Sequence, residues 1–294
     1  MTILVGENIN IMSRSFGAAL REKQAKPIED LAKAESAAGV DYLDLNIGPA
    51  KKKGVELMHW LVSTIQRVTD LPLSLDTTNT EAIEAGLELC RHRALINSVS
   101  LQPERLEQLL PLAKNYNAEI IGLLWGTDGM PRDLNERCML AVDLVYKANQ
   151  AGIHNKDIWV DPIVTPVNGE INQLNACLEF LTMLPEIAPG CKSIVGLSIV
   201  SSGAPQKLRS ILNRTYFIML SRYGLYAAII DAFDNELIDI ARGKRPDLIS
   251  LVHKAMDNDE AIDLSQLDKQ KQDYVKTVRV LTGRSLYSDS WLEI

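Results

Sequence analysis

No cysteine pair spaced C-x-x-C and no histidine pair spaced H-x-x-x-H occurs in these 294 residues. Cys90, Cys138, Cys177 and Cys191 stand far apart, as do His59, His92, His154 and His253. The ligand spacings of zinc sites are therefore missing, and no protein-ligated metal is expected. Scattered thiols read as free cysteines of a reducing, cytoplasmic compartment. A basic excess is lacking too: 31 Lys and Arg against 38 Asp and Glu leave a formal charge of −7. That balance argues against nucleic acid and anionic membrane surfaces as partners. No apolar run approaches the ~18 residues of a membrane span. Residues 1–6 carry no basic segment ahead of their apolar stretch, so they read as a first strand and not a secretory signal. Neither G-x-G-x-x-G after that strand nor G-x-x-x-x-G-K-[ST] anywhere is found, which removes the usual arguments for a nucleotide-binding open sheet.

What is present is an average globular composition, 46% hydrophobic and 23% charged, without low-complexity segments. Short β-type runs recur at 3–6, 42–45, 73–75, 94–96, 119–124, 158–160, 193–197 and 226–230. Between them lie stretches with helical spacing: 28–39, where Ile28, Leu31 and Ala34 or Glu35 share faces and Gly39 suits the C-terminal end, then 80–90, 104–116, 135–152, 172–187 and 206–223. Eight alternations predict a parallel sheet with crossover helices, and without nucleotide motifs the choice falls on a (β/α)8 TIM barrel. A single domain, 1–294, is expected. After Asp231 the chain departs from a minimal barrel: 234–245 is helix-like, Pro246 interrupts it, and 242–274 is expected as a helical excursion on the barrel exterior before 275–281 packs back.

The β-type runs end in hydrogen-bonding side chains: Asp44 and Asn46, Asp76 followed by Thr77, Thr78 and Asn79, Asn97, and Asp161. In a barrel these ends share the active-site rim. Helix capping is the competing reading, though it explains poorly why so few of these positions are Ser or Thr. Acids and amides around an apolar cup suit a neutral heterocycle with both donors and acceptors. A pterin has such an edge: its 2-amino and N3–H groups donate to a carboxylate, and its O4 and ring nitrogens accept from an amide.

Seven motifs in order, Gly6-Glu7-Asn8-Ile9-Asn10, Leu43-Asp44-Leu45-Asn46-Ile47-Gly48-Pro49, Leu75-Asp76-Thr77-Thr78-Asn79, Ile96-Asn97-Ser98, Asp161-Pro162, Gly196-Leu197-Ser198 and Asn213-Arg214-Thr215, resemble the methyltetrahydrofolate:corrinoid protein methyltransferases. These belong to the pterin-binding superfamily that also contains dihydropteroate synthase. The resemblance runs over 3–237 and resumes near 278–291. It implies a cytoplasmic homodimer that transfers a methyl group between N5 of tetrahydrofolate and the cobalt of a separate corrinoid (cobalamin-binding) protein. Carried over by position, Asp76, Asn97 and Asp161 hold the pterin, Gly196 and Ser198 lie beside it, and Arg209 lies near the substrate mouth. Tetrahydrofolate or methyltetrahydrofolate is then a substrate, and no permanently bound cofactor is implied.

One position departs from the family. Ile199 stands where acetogenic members carry an Asn that hydrogen-bonds near N5, and Ile199 cannot donate. A donor there favours departure of N5 as a leaving group; attack by a free N5 lone pair needs it less. The expected direction is therefore toward methyltetrahydrofolate, downstream of an O- or N-demethylase. Two other readings stand beside this one. A dihydropteroate synthase shares Leu75-Asp76-Thr77 and Asp161-Pro162, but its anion-binding Ser-Arg-Lys and Arg-x-His have no counterpart in 196–203 or 226–233. A non-catalytic pterin-binding subunit is the other. Glu7 and Asn10 are within reach of the pocket or serve loop bonding; Lys51-Lys52-Lys53 attracts a folate tail or acidic partner or is merely solvated. The Gly-rich 125–129 is a candidate lid, and Trp60 reads as packing.

Overall fold

The computed structural model describes residues 1–14 and 16–293; Ser15 and Ile294, the last residue of the expected domain, lie outside it. Eight parallel strands close in chain order: β1 Ile3–Gly6, β2 Tyr42–Asn46, β3 Leu73–Asp76, β4 Leu95–Ser100, β5 Glu119–Leu123, β6 Ile158–Asp161, β7 Lys192–Gly196 and β8 Ala227–Ile230. At the seam Ile3 faces Ala227 and Gly6 faces Ile230. Around them run α1 Gly17–Arg21, α2 Ala25–Ala38, α3 Gly54–Ile65, α4 Thr80–Leu87, α5 Pro103–Asn115, α6 Leu134–Gln150, α7 Ile171–Ile187, α8 Gln206–Arg222, α9 Asn235–Ala241, α10 Pro246–Asn258 and α11 Lys269–Leu281. This is the (β/α)8 barrel that the alternation predicts.

Period two decides what lines the barrel. Leu43, Leu45, Leu75, Ile96 and Val160 join the core shared with the helices. Val5, Leu95, Ile121, Trp159, Ile194 and Ala227 form a separate inner cluster. There the buried Trp159 meets Tyr42 edge-on at 5.5 Å and Tyr226 at 5.2 Å. The Lys192 ammonium lies 4.9 Å from the Trp159 ring centroid, and Glu119 accepts from it at 2.6 Å. This plug fills the end where the strands begin, and truncating Trp159 to Ala costs about 3–5 kcal/mol. Two residues along the same strands, the inward positions turn polar: Asp44 follows Tyr42, Asn97 follows Leu95, and Asp161 follows Trp159. One alternation thus produces both an apolar floor and a polar mouth.

The C-terminal segment is more ordered than its composition suggests. Pro246 does not break a helix there; it opens α10, in the first turn where its missing N–H is harmless, and α9 already ends at Ala241. Within the expected 242–274 excursion α10 buries Leu248, Val252 and Ala255, and it packs with α11 on α8. Arg279 and Arg284 each reach Asp259 at 2.6 Å. No helix among the described residues is long and apolar enough to cross a membrane.

Candidate active site

Strand register sets the first half of the mouth. Asn46 pairs with Asp76, and Asp76 with Asn97, at the C-terminal ends of β2, β3 and β4. Asp44 pairs with Ser74 and so lies one inward position deeper, buried at 3% exposure. It therefore supports the rim and does not stand on it, which corrects the expectation that all five polar residues share one level. The Ser74 hydroxyl donates to Asp44 Oδ1 at 2.5 Å, and Asn97 Nδ2 donates to the same oxygen at 3.1 Å. Asn46 Nδ2 donates to Asp76 Oδ2, while Asn46 Oδ1 accepts from the Gly48 N–H at 2.9 Å. The capping alternative does not hold for these residues: Asn79, Asp133 and Asp234 cap α4, α6 and α9 with their side chains, whereas Asp44, Asn46, Asp76, Asn97 and Asp161 lie within strands.

Burial sets the electrostatics. Asp44 and Asp76 are both pushed above the usual carboxylate range, chiefly by loss of solvent. Asp44 rises further because the Asp76 charge adds to burial, while the Asn46 amide and the Arg105 guanidinium hold Asp76 down. The charge on Asp76 thus makes the proton of the buried Asp44 harder to lose. Arg105 comes from α5 and donates to the carbonyls of Ser98 at 2.7 Å and Thr78 at 2.9 Å. Asp161, on β6, is raised to about 7 by burial, with the Ile163 N–H, 2.8 Å from its Oδ1, acting against the rise.

The second half of the mouth is a cleft of about 450 Å3 between the ends of β1 and β8 and helix α8, lined among others by Glu7, Ser198, Arg209, Asn213 and Asp231. Of the sequence-derived candidates, Glu7, Asn10, Ser198 and Arg209 line it; Asp44, Asn46, Asp76 and Asn97 make up the other half, and Asp161 stands apart at the end of β6. Glu7 links the two. Its carboxylate accepts from Ser198 Oγ at 2.5 Å, and burial raises it to about 7, with Asp231 and Asp44 adding to the rise. Gly196 ends β7, and a Cβ there would lie 3.2 Å from Ile199 Cδ1, so the partly exposed Ile199 folds back over Gly196. Arg209 spends its Nε on the Ala204 carbonyl at 3.1 Å.

The remaining sequence-derived features lie as follows. Trp60 packs against the core. Lys51, Lys52 and Lys53 are exposed ahead of α3. The 125–129 segment is tied by reciprocal backbone bonds between Gly126 and Gly129 at 2.8 and 3.2 Å. Sequence reading missed Ser74, Arg105 and Glu35 as site residues. Ser74 carried a signal, two positions before Asp76. So did Glu35, a charge on the apolar face of α2; its carboxyl is fully buried, raised to about 8, and sits where a side chain on Gly6 would lie 2.3 Å from Oε2. Arg105 carried none, because its reach depends on how α5 docks. Among the described residues no group of three or more His, Cys, Asp or Glu is placed to hold a metal ion.

The sequence model of the family described as pterin binding enzyme matches residues 6–230. The chain belongs to that family. A methylcorrinoid:tetrahydrofolate methyltransferase of Eubacterium limosum is 26% identical over 238 residues, covering 80% of this pterin-binding enzyme and 87% of the relative. Methionine synthase of Mycobacterium tuberculosis is 27% identical over 241 residues, 78% of this chain but only 20% of that protein. Among solved structures, dihydropteroate synthases share the fold. That of Thermus thermophilus has a TM-score of 0.60 at 20% identity, over 83% of this chain and 94% of its own. That of Coxiella burnetii, in complex with pteroic acid, has 0.62 at 18%, over 83% and 93%.

Proposed function

We propose that this pterin-binding enzyme moves a methyl group from the cobalt of a methylated corrinoid protein to N5 of tetrahydrofolate. The observation that carries the reading is the bonded set of Asp44, Asn46, Asp76 and Asn97 at the mouth of the barrel. Asp76 meets the pterin's 2-amino and N3–H donors, and Asn97 and Asp161 complete the ring contacts. Asp44 and Asn46 hold Asn97 and Asp76 in place, Gly196, Ser198 and Ile199 border the ring, and Arg209 takes the remainder of the folate in the cleft. Methyl transfer is supported by the Eubacterium limosum relative, which the chain matches over 87% of that protein's length. The exposed Met12, Trp125, Ile199 and Phe233, on loops after β1, β5, β7 and β8, give the mouth an apolar collar suited to a docked protein.

In this reaction the N5 lone pair attacks the methyl carbon. The N–C bond forms as the Co–C bond breaks, and the bonding pair stays on cobalt. The chain's part is alignment of N5, methyl and cobalt on one axis and removal of the N5 proton. Glu7 accepts that proton: it lines the cleft and its carboxyl titrates at about 7. Ile199 leaves the lone pair without a competing donor, in keeping with net flow toward methyltetrahydrofolate after an O- or N-demethylase. Dihydropteroate synthase activity is disfavoured because neither 196–203 nor 226–233 contains a Lys or Arg for a diphosphate. The homodimer is proposed too, with the exposed Met139, Val142 and Tyr146 stripe of α6 as the apolar face that it covers; a monomer by sedimentation equilibrium contradicts it.

Mixing the enzyme with tetrahydrofolate and a methylated corrinoid protein tests the function. Loss of the methylcobalt absorption bands supports transfer; tight folate binding with unchanged bands supports a non-catalytic subunit.

A further inference from the structure

Arg137 is fully buried, at 0% exposure, and no carboxylate lies within ion-pair distance of it among the described residues. Its donors go to neutral oxygens on three elements. Nε donates to the Pro162 carbonyl at 2.9 Å, Nη2 to Gln173 Oε1 at 2.7 Å, and Nη1 to the Asp133 carbonyl at 3.3 Å; Nη2 also faces the Ile163 carbonyl at 3.5 Å. Gln173 is held in turn by bonding Arg132 O at 2.8 Å. Burial lowers the affinity of this guanidinium for its proton, yet an arginine keeps its charge in proteins. A buried cation without a counter-ion opposes folding, and an apolar side chain of like volume fills the same space without that penalty. What the guanidinium supplies is direction, a flat fork on the carbonyls of the loop after β6.

That loop is strained. Ile163 has φ of +66°, a left-handed conformation that a β-branched residue adopts at a cost of about 1–3 kcal/mol. The conformation has one visible product: the Ile163 N–H points at Asp161 Oδ1, 2.8 Å away, the one hydrogen bond that the Asp161 carboxylate receives among the described residues. If Ile163 relaxes to negative φ, that N–H turns away and Asp161 is free to rotate.

We propose that Arg137 is a positioning residue for Asp161, keeping the 161–163 turn left-handed from behind. This rests on the reading of Asp161 as a pterin contact. The expected consequence of Arg137→Met is tetrahydrofolate binding weakened on the order of tenfold to a hundredfold, the range of a lost hydrogen bond to a charged group.

The test uses four variants, each measured by calorimetric titration with tetrahydrofolate and by thermal unfolding. Asp161→Ala comes first: unchanged affinity removes the pterin role of Asp161 itself, whatever Arg137 does. If that variant binds weakly, Arg137→Met decides the positioning role, and wild-type affinity in a folded Arg137→Met protein overturns it. Arg137→Met/Ile163→Gly is the specific control, because glycine adopts positive φ without strain. The proposal predicts that it recovers most of the lost affinity, which a general loss of packing would not; failure to recover overturns it. Should Arg137→Met not fold, Arg137→Leu, which likewise has no donor, replaces it in both arms, with the same two outcomes deciding.

Discussion

Asn97 Nδ2 reaches across β3 to Asp44 Oδ1 at 3.1 Å, the oxygen that Ser74 Oγ meets at 2.5 Å. One buried carboxylate oxygen thereby gathers side chains from three strands and fixes the Asn97 amide, whose second N–H and oxygen remain for a ligand. Asn97→Ala should therefore weaken tetrahydrofolate binding roughly tenfold to a hundredfold. Asp44→Asn should act in the same direction without touching the ligand. Calorimetric titration of both variants reads the effect; wild-type affinity in Asn97→Ala removes Asn97 from the site.

The buried carboxyls set a stability profile. Glu35, Glu7 and Asp161 carry folded-state values of about 8, 7 and 7 against ordinary values near 4. The folded state thus binds more protons than the unfolded state between those limits, and the slope of stability with pH is negative. Their contribution is fully present below the unfolded values and is lost as pH rises through 7 to 8. Urea unfolding of the ligand-free protein should give a midpoint that falls from pH 6 to pH 8.5. Glu35→Gln should flatten that fall and raise stability at the alkaline end by on the order of a kcal/mol. A wild-type midpoint that rises over this interval contradicts the account.

A proton acceptor titrating at about 7 gives the forward reaction an acidic limb. Methyltetrahydrofolate formation should decline below pH 7 as Glu7 becomes protonated. Glu7→Gln should lose that limb and run roughly a hundredfold slower above it. A pH–rate profile identical to wild type excludes Glu7 from proton transfer.

The barrel was legible because strand and helix alternate in type and spacing, and the strands were located to within a residue or so except at β4, which extends on to Ser100. The polar rim was legible because period two carries a carboxylate or amide to the upper inner face of β2, β3, β4 and β6. Depth was not. Asp44 and Asn46 are two residues apart on one face, and only the pairing of Asp44 with Ser74 and of Asn46 with Asp76 shows which is the support. Arg105 and Arg137 were invisible for a related reason: each reaches the site from a helix through backbone carbonyls, Arg105 those of Ser98 on β4 and Thr78 in the loop after β3, Arg137 that of Pro162 after β6. Pro246 misled because a proline stops one helix and starts the next equally well.

Ile199 bears on direction. Restoring a donor through Ile199→Asn should raise the saturated rate of methyl transfer out of methyltetrahydrofolate more than that of its formation, because only unequal binding of the two folates can separate directions that share one barrier. Initial rates in both directions measure it. A larger gain in methyltetrahydrofolate formation would count against the assigned role, since the donor would then favour the attacking nitrogen.

The most direct test of the central claim follows the methyl group itself. A corrinoid protein carrying a 13C-methyl group on cobalt is mixed with tetrahydrofolate and catalytic enzyme, and the label is located by NMR. The account predicts a 13C-methyl resonance of N5-methyltetrahydrofolate whose appearance depends on the enzyme and is greatly slowed in Asp76→Asn. Label that stays on cobalt while tetrahydrofolate is bound, across several corrinoid proteins, would contradict it.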